Sequence, residues 1–231
     1  VGAGRPHAYG DAAAQTLLLV ARAAEAALAG DLVRQRRECG IGTGLGDTPK
    51  NFFYEFTPVG PTQSAFGGKI YGPTTGGGLA INSVQQGVIF NTNADGTGLS
   101  VIHQFDGGSS GLGYTPTGRL LALNGKLYGT TSAGGTNDYG ILYELNLTGN
   151  VITKLQDFSA HGSNGSQSGL TYAHGKIYGM AGPGALGTHG ILFEYDPITN
   201  VFTKKLDFAG TNGSQPKGDL VLVGNKLYGM T

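Results

Sequence analysis

A five-residue phrase, Gly-Lys-Leu-Tyr-Gly or a close variant of it, returns along the chain and limits the possible folds more than any other feature. Its tyrosine stands at Tyr128, Tyr178 and Tyr228, at intervals of 50 residues, and a fourth copy contains Tyr71. Regular recurrence at this interval is typical of repeat architectures, in which each unit buries its apolar face against a neighbouring unit. The sequence therefore predicts a tandem-repeat protein, with one tyrosine per unit in the core.

Each unit contains four short apolar runs separated by turn residues. In one unit, a run ends at Leu123, an Asn-Gly turn leads into the run that holds Tyr128, and an Ile-Leu-aromatic-Glu run starts at Ile141. A fourth run alternates in character, as in residues 201–208. Asn-Gly pairs fit tight hairpins, and four antiparallel strands in about 40–50 residues are the signature of a propeller blade. We predict an all-β fold, a small β-propeller of four or five four-stranded blades.

A strand that could close the ring lies ahead of the first full unit. Residues 52–56 read Phe-Phe-Tyr-Glu-Phe and match the third run of the later units. Tyr54 follows Gly40 by fourteen residues, as Tyr143 follows Gly129. We therefore predict that the propeller domain spans 39–231 and that a strand near 52–56 completes its last blade, because propellers hide their open sheet edges.

The composition of residues 1–38 differs from that of the repeats. Five of the six arginines and eleven of the 21 alanines lie before residue 40. Leu17, Ala21, Ala24 and Leu28 fall on one stripe at helical spacing, which predicts an N-terminal helical segment. A leader or cloning remnant is the alternative. No signal peptide is visible in this numbering, and with a removed leader we expect a secreted or periplasmic location.

Charge and cysteine content limit the classes of partner. The chain has 15 basic and 15 acidic residues, and charged residues make up only 13% of it. This balance gives no electrostatic reason to expect nucleic acid or an anionic membrane as the partner. With Cys39 as the single cysteine, no intramolecular disulfide can form. The sequence leaves a small molecule or a carbohydrate as the expected partner and leaves the oligomeric state open.

Two motifs connect the repeat to a known family. Residues 127–131 read Leu-Tyr-Gly-Thr-Thr and are followed by Gly134-Gly135, and residues 213–220 read Gly-Ser-Gln-Pro-Lys-Gly-Asp-Leu. Over roughly residues 60–231 the chain resembles the GloVer family of bacterial tandem repeats, and its strand layout is similar to that of kelch propellers. The family resemblance implies a propeller but no known active site. The chain also resembles metagenome-derived quorum-quenching propellers, which implies a lactonase-type hydrolase of acyl-homoserine lactones, with calcium as its cofactor.

The loops on one face of the predicted propeller hold the candidate functional residues. Loops that join strands two and three, and loops that join one blade to the next, surround the central channel, where ligands bind. The candidate catalytic residues there are His161, His189 and Asp138. The candidate ligand-binding residues are Asp106, Asn137, Tyr139, Asn164, Gln167, Asn212 and Gln215. The alternative is that such residues only form turns, which favour Asn, Asp, Ser and Gly.

Two segments could bind calcium. Asp138 and Asn137 are the candidate metal ligands on the loop face, although calcium prefers six to eight oxygens and carboxylates are few there. Residues 91–96 resemble a calcium-binding loop, but Ile102 stands where the bidentate glutamate should be. We therefore expect a plain hairpin at that second segment.

Two functions are open at this point. One is a quorum-quenching-type propeller that binds, and in its catalytic version hydrolyses, a small ligand such as an N-acyl-homoserine lactone. The other is a non-catalytic module that binds carbohydrate or protein. The His, Asp and Asn content of the loop face favours the first, whereas the lack of a convergent catalytic set in the sequence favours the second.

Overall fold

The structure is a computed structural model that describes residues 64–77, 86–107, 111–161, 163–166, 168–184 and 188–231. The predicted helical segment at 1–38, the predicted closing strand near 52–56 and the candidate residue Gln167 lie outside these ranges. Within them, no helix is long and apolar enough to cross a membrane.

Fifteen strands form four consecutive antiparallel sheets along the described chain. The first sheet contains β1 (Ser64–Phe66), β2 (Lys69–Thr74), β3 (Val88–Asn93) and β4 (Ser100–Gln104). The second contains β5 (Tyr114–Leu123), β6 (Lys126–Ala133), β7 (Ile141–Asn146) and β8 (Val151–Asp157). The third contains β10 (Thr171–Ala173), β11 (Lys176–Pro183), β12 (Ile191–Asp196) and β13 (Val201–Asp207), with β9 (Ser163–Asn164) paired to β11. The fourth contains β14 (Lys217–Val223) and β15 (Lys226–Met230).

Each of the first three sheets is a meander in which neighbours in sequence are neighbours in space. The predicted hairpins build them. Asn124 and Gly125 have φ angles of 50° and 75°, so the turn between β5 and β6 needs residues that accept positive φ. In the second and fourth blades, strand one also contacts strands one and two of the blade before it: β5 contacts β1 and β2, and β14 contacts β10 and β11. The predicted all-β, propeller-type blades are confirmed.

A glycine on strand two lies directly beneath an aromatic ring of strand three. A Cβ built on this glycine would approach ring or phenol atoms to between 2.4 and 2.7 Å, closer than side chains tolerate. The arrangement occurs at Gly72 beneath Phe90, Gly129 beneath Tyr143 and Gly179 beneath Phe193. The second glycine of the repeated phrase is therefore required by packing rather than by the turn.

The repeated tyrosines pack between blades. Tyr71 of the first blade belongs to one cluster with Leu127 and Tyr143 of the second. Tyr128 of the second blade packs with Ile177 of the third. Burial is the largest cause that raises the pKa of the Tyr128 phenol. The prediction that these tyrosines are core residues is confirmed for Tyr71 and Tyr128, whereas Tyr178 is half-buried and Tyr228 is 55% exposed.

The strand-two to strand-three loops and the blade-to-blade loops lie on the same face, as predicted. In the first three blades, the aromatic residue that follows strand four donates its backbone N–H to the carbonyl of the glycine that precedes strand three. These hydrogen bonds join Phe105 to Gly87 (3.1 Å), Phe158 to Gly140 (3.1 Å) and Phe208 to Gly190 (2.9 Å). We call the surface formed by these two sets of loops the loop face.

The buried phenol of Tyr143 leads to a stability prediction, because its oxygen has no hydrogen-bond partner among the residues that the structure describes. Phe193 fills the equivalent place in the third blade without a hydroxyl. We expect Tyr143→Phe to leave the free energy of unfolding equal or higher, since a buried polar group without a partner costs about 1–3 kcal/mol. The matched change Phe193→Tyr should lower it by a similar amount. Urea unfolding measures both, and a loss of stability in Tyr143→Phe would contradict the interpretation.

Candidate functional site

The loop face contains a cleft of about 270 Å³ where the second, third and fourth blades meet. It lies at the end of β6, at the end of β11 and at the start of β14. The residues that line it are Ser132, Gly165, Gly182, Pro183, Gln215, Pro216 and Lys217. Six of these seven are uncharged, and Lys217 contributes the one charge. The cleft is therefore a small, mostly neutral site made by three blades together.

The short strand β9 forms one wall of the cleft. It extends the third blade on the loop face by pairing with the end of β11, with Gly182 opposite Asn164 and Pro183 opposite Ser163. Gly165, which follows β9, is packed so tightly that a Cβ there would lie 2.2 Å from the Cα of Ser132. A side chain at Gly165 would push the second and third blades apart, so glycine sets the width of the cleft here.

A proline turn positions the opposite wall. The Gln215 N–H donates to the carbonyl of His189 at 2.9 Å, and Gln215 adopts a φ of 52°. Pro216 then packs so closely on Gly190 that an added Cβ would lie 2.6 Å from its Cδ. The first interblade loop repeats this geometry at residues 115–116, where the Thr115 N–H donates to the carbonyl of Gln86 at 2.8 Å. The turn therefore fixes where Gln215 and Lys217 stand at the cleft.

Three equivalent positions of successive blades come together beside the cleft. They meet at Asp219, two residues after Lys217 on β14. Arg119, Gly169 and Asp219 are separated by 50 residues each. Asp219 accepts the Gly169 N–H at 2.6 Å, and its other carboxylate oxygen lies 3.4 Å from the Arg119 guanidinium. Both charged side chains are partly exposed, so the ion pair stabilises the fold only modestly. Its geometric effect is larger, because one carboxylate holds three blades together.

His161 lies apart from the cleft lining. It ends a short 3-10 helix, Phe158–His161, and its ring stacks on Phe202 of β13 with centroids 4.6 Å apart. Burial lowers the pKa of His161 and the nearby Lys204 adds to this effect, while Asp207 opposes it. The contacts of His161 are those of a packed ring.

His189 is nearer to the cleft. Its Nδ1 lies 3.1 Å from the Ser214 hydroxyl, and its carbonyl accepts the Gln215 N–H. These contacts hold the proline turn beside the cleft. A histidine and serine within hydrogen-bond distance could in principle act as base and nucleophile. No carboxylate of the described residues orients this histidine, and its proposed catalytic role stays a prediction.

Asp138, Asn137 and Tyr139 share one turn in the second blade. The exposed Asp138 accepts the Gly134 N–H at 2.6 Å, and its hydrogen bond with the Tyr114 phenol raises the pKa of Tyr114. Asn137 has a φ of 61° and is exposed, whereas Tyr139 ends the 3-10 turn half-buried. These contacts stabilise the turn itself. No hydrogen bond, ion pair or ring contact joins Asp138 to either candidate histidine in the described ranges.

The remaining candidates divide between turn and cleft. Asn212 is exposed, accepts the Ala209 N–H at 2.7 Å and donates to the carbonyl of Asp207 at 3.2 Å, so it closes a turn. Asp106 is half-buried after β4, where its charge partly offsets the lowering of the His103 pKa by burial. Asn164 of β9 pairs with Gly182 of β11, next to the cleft. Gln215 is the predicted residue that lines the cleft directly.

The calcium prediction has little support around Asp138. Among the described residues, no group of three or more His, Cys, Asp or Glu side chains is placed to hold a metal ion. Calcium prefers six to eight oxygens, so the residues near Asp138 do not fit such a site. At the second segment Asp95 accepts both the N–H and the hydroxyl of Thr97, which makes it the expected hairpin turn.

Sequence reasoning missed most of the cleft. Ser132, Gly182 and Pro183 follow the Leu-Tyr-Gly phrase on strand two, where the repeat signal pointed to structure rather than to a site. Lys217 belongs to the Gly-Ser-x-Pro turn, whose pattern indicates structure rather than a site. The signal that could have found them is the departure of the third unit from the repeat, since Pro183 stands where the second unit has Ala133.

The environment of His161 generates a pH prediction. Because its pKa is lowered in the folded state, the unfolded chain binds more protons just below the ordinary pKa of 6.5, and stability should fall as pH drops through that region. His161→Phe keeps the stack on Phe202 and removes the titration. We expect the difference between urea midpoints at about pH 7.5 and about pH 5 to shrink in this variant.

His103 provides a second variant for the same measurement of stability against pH. Burial lowers its pKa as well, and its ring packs edge-on against Phe105. His103→Phe should therefore reduce the acid sensitivity in the same direction, and the double variant should reduce it further. Parallel pH curves for the wild type and both single variants would contradict this explanation.

Comparison with known proteins adds a family to this geometry. No curated protein matches the sequence. Among solved structures, "Bacteroides ovatus Xyloglucan PUL GH43B" is similar over 75% of this chain and 35% of its own length, with 16% identity and a TM-score of 0.48. The GH43 BlXynB protein from Bacillus licheniformis is similar over 65% of this chain and 30% of its own length, with 15% identity and a TM-score of 0.37. The tricorn protease is similar over 62% of this chain and 12% of its own length, with 14% identity and a TM-score of 0.42. The chain thus spans about a third or less of each of these structures.

The family model that matches is described as the Gloeobacter/Verrucomicrobia repeat, and the match covers residues 53–231. It contains the Leu-Tyr-Gly phrases that place glycine beneath an aromatic ring and the Gly-Ser-x-Pro turn that borders the cleft. The resemblance expected from those motifs is confirmed, and the chain belongs to the Gloeobacter/Verrucomicrobia repeat family.

Proposed function

We propose that this protein binds a small, neutral, hydroxyl-rich ligand in the loop-face cleft, and that the ligand is a carbohydrate. The observation that carries the proposal is the lining of the cleft, which combines two prolines, two glycines and the polar groups of Ser132, Gln215 and Lys217. A concave site with a few convergent polar groups is where ligands bind in propellers and most other folds.

The polar groups at the cleft match the needs of a sugar. The Ser132 hydroxyl donates to the carbonyl of Thr115 at 3.2 Å, so its oxygen can still accept a hydrogen bond. Gln215 is exposed and offers both a carbonyl and an amide. Lys217 is exposed and makes no ion pair with the described residues, which leaves its ammonium to donate to hydroxyl oxygens. Mixed donors and acceptors of this kind suit hydroxyl groups, which do both.

The apolar part of the lining complements the other surface of a sugar ring. Pro183 and Pro216 present ring carbons on two sides of the cleft, and a pyranose has faces made of C–H groups. The volume of about 270 Å³ lies just below the usual range of about 300–1,000 Å³ for ligand pockets. It suits one or two sugar units better than a long chain.

Binding without chemical conversion agrees best with the placement of the candidate catalytic residues. His161 stacks on Phe202, His189 contacts Ser214, and Asp138 holds its own turn. A hydrolase needs its nucleophile, base and orienting group within hydrogen-bond reach of one another. An N-acyl-homoserine lactone is also neutral and carries amide and lactone carbonyls that Lys217 could contact, so lactone binding and hydrolysis are the second possibility to test.

We expect Lys217→Ala and Gln215→Asn to weaken sugar binding. For Lys217→Ala, loss of a hydrogen bond from a charged donor costs about 1.5–3 kcal/mol, which raises the dissociation constant about tenfold or more. The neutral Gln215 amide contributes less, so Gln215→Asn should have the smaller effect. Asn is chosen at Gln215 because it tolerates positive φ. A glycan array identifies the sugar, and calorimetry with that sugar measures the variants. Lys204→Ala on the outer strand β13 is the matched control and should bind like the wild type.

Lactone hydrolysis is tested with the same protein. N-hexanoyl-homoserine lactone is incubated with wild type and with His189→Ala, and ring opening is followed by chromatography. Ring opening above background that depends on His189 would replace the carbohydrate proposal with a hydrolytic one. Sugar binding that survives Lys217→Ala and Gln215→Asn unchanged would show that the ligand site is elsewhere.

A further inference from the structure

The loop that joins the second blade to the third takes a different course from the interblade loops on either side of it. Each of those loops packs a proline on the glycine that precedes strand three, where a built Cβ would lie 2.6 Å from the proline Cδ. The pairs are Pro116 with Gly87 and Pro216 with Gly190. In the second blade the equivalent glycine is Gly140, and its built Cβ would lie 3.1 Å from the Cα of Gly165. A glycine thus stands where the other two loops have a proline ring.

The pairing register beside this loop is shifted as well. In the second blade Tyr114 of β5 pairs with Ala133 of β6. The residues 50 positions further along the chain are Asn164 and Pro183, but Asn164 pairs with Gly182 instead. The ladder of β9 and β11 is therefore displaced by one residue at the two positions of β11 that line the cleft.

Two buried serines hold the loop in this course. Ser166 is 0% exposed and Ser168 is 2% exposed. The Ser166 hydroxyl accepts the Ser168 N–H at 3.1 Å and donates to the Ser168 carbonyl at 3.0 Å. The Ser168 hydroxyl donates to the carbonyl of Met180 on β11 at 3.1 Å. The serine pair is thus fixed to the strand that reaches the cleft at Gly182, two residues later.

The same loop is fixed to the second blade. The Thr117 hydroxyl of β5 donates to the carbonyl of Ser166. Gly165, the residue before Ser166, lies so close to Ser132 that its built Cβ would be 2.2 Å from the Ser132 Cα. The serine loop therefore connects two walls of the cleft, one from the second blade and one from the third.

The sequence shows why serine is needed in this loop. Residues 164–167 and residues 212–215 both read Asn-Gly-Ser-Gln, but the first run continues with Ser168 and the second with Pro216. A proline has no backbone N–H and no hydroxyl, so at position 168 it could make neither of the two hydrogen bonds just described. Serine at this position therefore favours the shifted course over a proline turn.

We propose that Ser166 and Ser168 are positioning residues of the cleft, whose hydroxyls hold Gly165 against Ser132 and set the place of Gly182. Both hydroxyls are buried and neither serine lines the cleft, so they act without touching the sugar. Their effect on sugar affinity rests on the proposed function, whereas their effect on the geometry of the cleft does not.

Two serine variants and one matched control test this role in the full chain. Ser168→Ala removes the hydroxyl that binds Met180 and leaves the backbone N–H of residue 168 bonded to Ser166. Ser166→Ala removes the acceptor of that N–H, which costs more because a buried donor loses its partner. The control is Thr92→Val on β3, which removes a 1% exposed hydroxyl that donates to the Thr97 carbonyl at 2.8 Å. If Ser166→Ala fails to fold, Ser168→Ala and the control still decide the result.

Heteronuclear NMR spectra of the protein without sugar give the first measurement. We expect the backbone amide signals of Gly182 and Ser132 to shift in both serine variants and to stay in place in Thr92→Val. These two residues are distant in sequence from the substituted serines, so their signals report the walls of the cleft rather than the substitution itself. Unchanged Gly182 and Ser132 signals in both serine variants would overturn the proposal.

Calorimetry with the sugar that the glycan array identifies gives the second measurement. We expect Ser168→Ala to raise the dissociation constant about tenfold, because walls that are no longer held in place must be ordered when the sugar binds. Thr92→Val should bind like the wild type even where its urea midpoint falls equally far. Equal weakening in Thr92→Val would overturn the positioning role, since the loss would then follow stability.

The two measurements separate this role from the proposed function. A wild type that binds no sugar on the array contradicts the carbohydrate proposal, and the amide signals of Gly182 and Ser132 still decide whether the serines position the cleft. Amide signals that shift while sugar affinity stays the same would overturn the role of the serines in binding.

Discussion

The contact between a strand-two glycine and a strand-three aromatic ring holds each blade together. The ring crosses strand two at the one residue without a side chain and reaches the leucine of strand one, as Tyr143 does over Gly129 to Leu120. Three strands are thus joined in one layer by a single side chain, which also reaches the preceding blade through Tyr71. Aromatic rings bury more area than any other side chain, so a Cβ at this glycine would disturb both the blade and its neighbour.

The repeat explains the scaffold, whereas departures from the repeat explain the cleft. In the second blade, the buried Thr131 hydroxyl accepts the Ile141 N–H at 3.0 Å and donates to the carbonyl of Ala133 at 2.9 Å, which ends the pairing of β6 with β7 in a fixed turn. Ala181 replaces this threonine in the third blade and pairs directly with Ile191. Both strands continue two residues beyond this point, but Ala133 at the end of β6 pairs with Tyr114 of β5, whereas Pro183 at the end of β11 pairs with Ser163 of β9. The third blade therefore differs from the second in the strand that borders the cleft.

The sequence was sufficient for the blades because their signals are local. The Asn124-Gly125 turn, the alternating runs and the spacing of the tyrosines each act within one unit, and the structure contains them as predicted. The site depends on contacts between units. Gly165 meets Ser132, and Asp219 meets an arginine 100 residues earlier in the chain. No periodicity within a unit encodes such pairs, so among the predicted residues that the structure describes Gln215 alone lines the cleft.

The predicted histidines illustrate the same limit. The sequence predicts His161 and His189 as site residues because they lie in loops on the functional face, and the structure places both in those loops. Loop membership does not fix the direction of a side chain, however. The ring of His161 stacks on Phe202, which in turn stacks on Phe193 at 5.0 Å. An aromatic neighbour on an outer strand thus turns this histidine toward the blade rather than toward the channel.

The central ion pair links the scaffold to the cleft. Asp219 binds the Gly169 N–H and the Arg119 guanidinium at once, and glycine is needed between them because a Cβ there would lie 2.7 Å from the carboxylate and 2.9 Å from the Cβ of Arg119. This partly exposed ion pair contributes little to the free energy of unfolding. In geometry it fixes the separation of three blades close to the residues that line the cleft. A site whose walls are already held apart loses less conformational freedom when a ligand enters, so a few neutral contacts can suffice for binding.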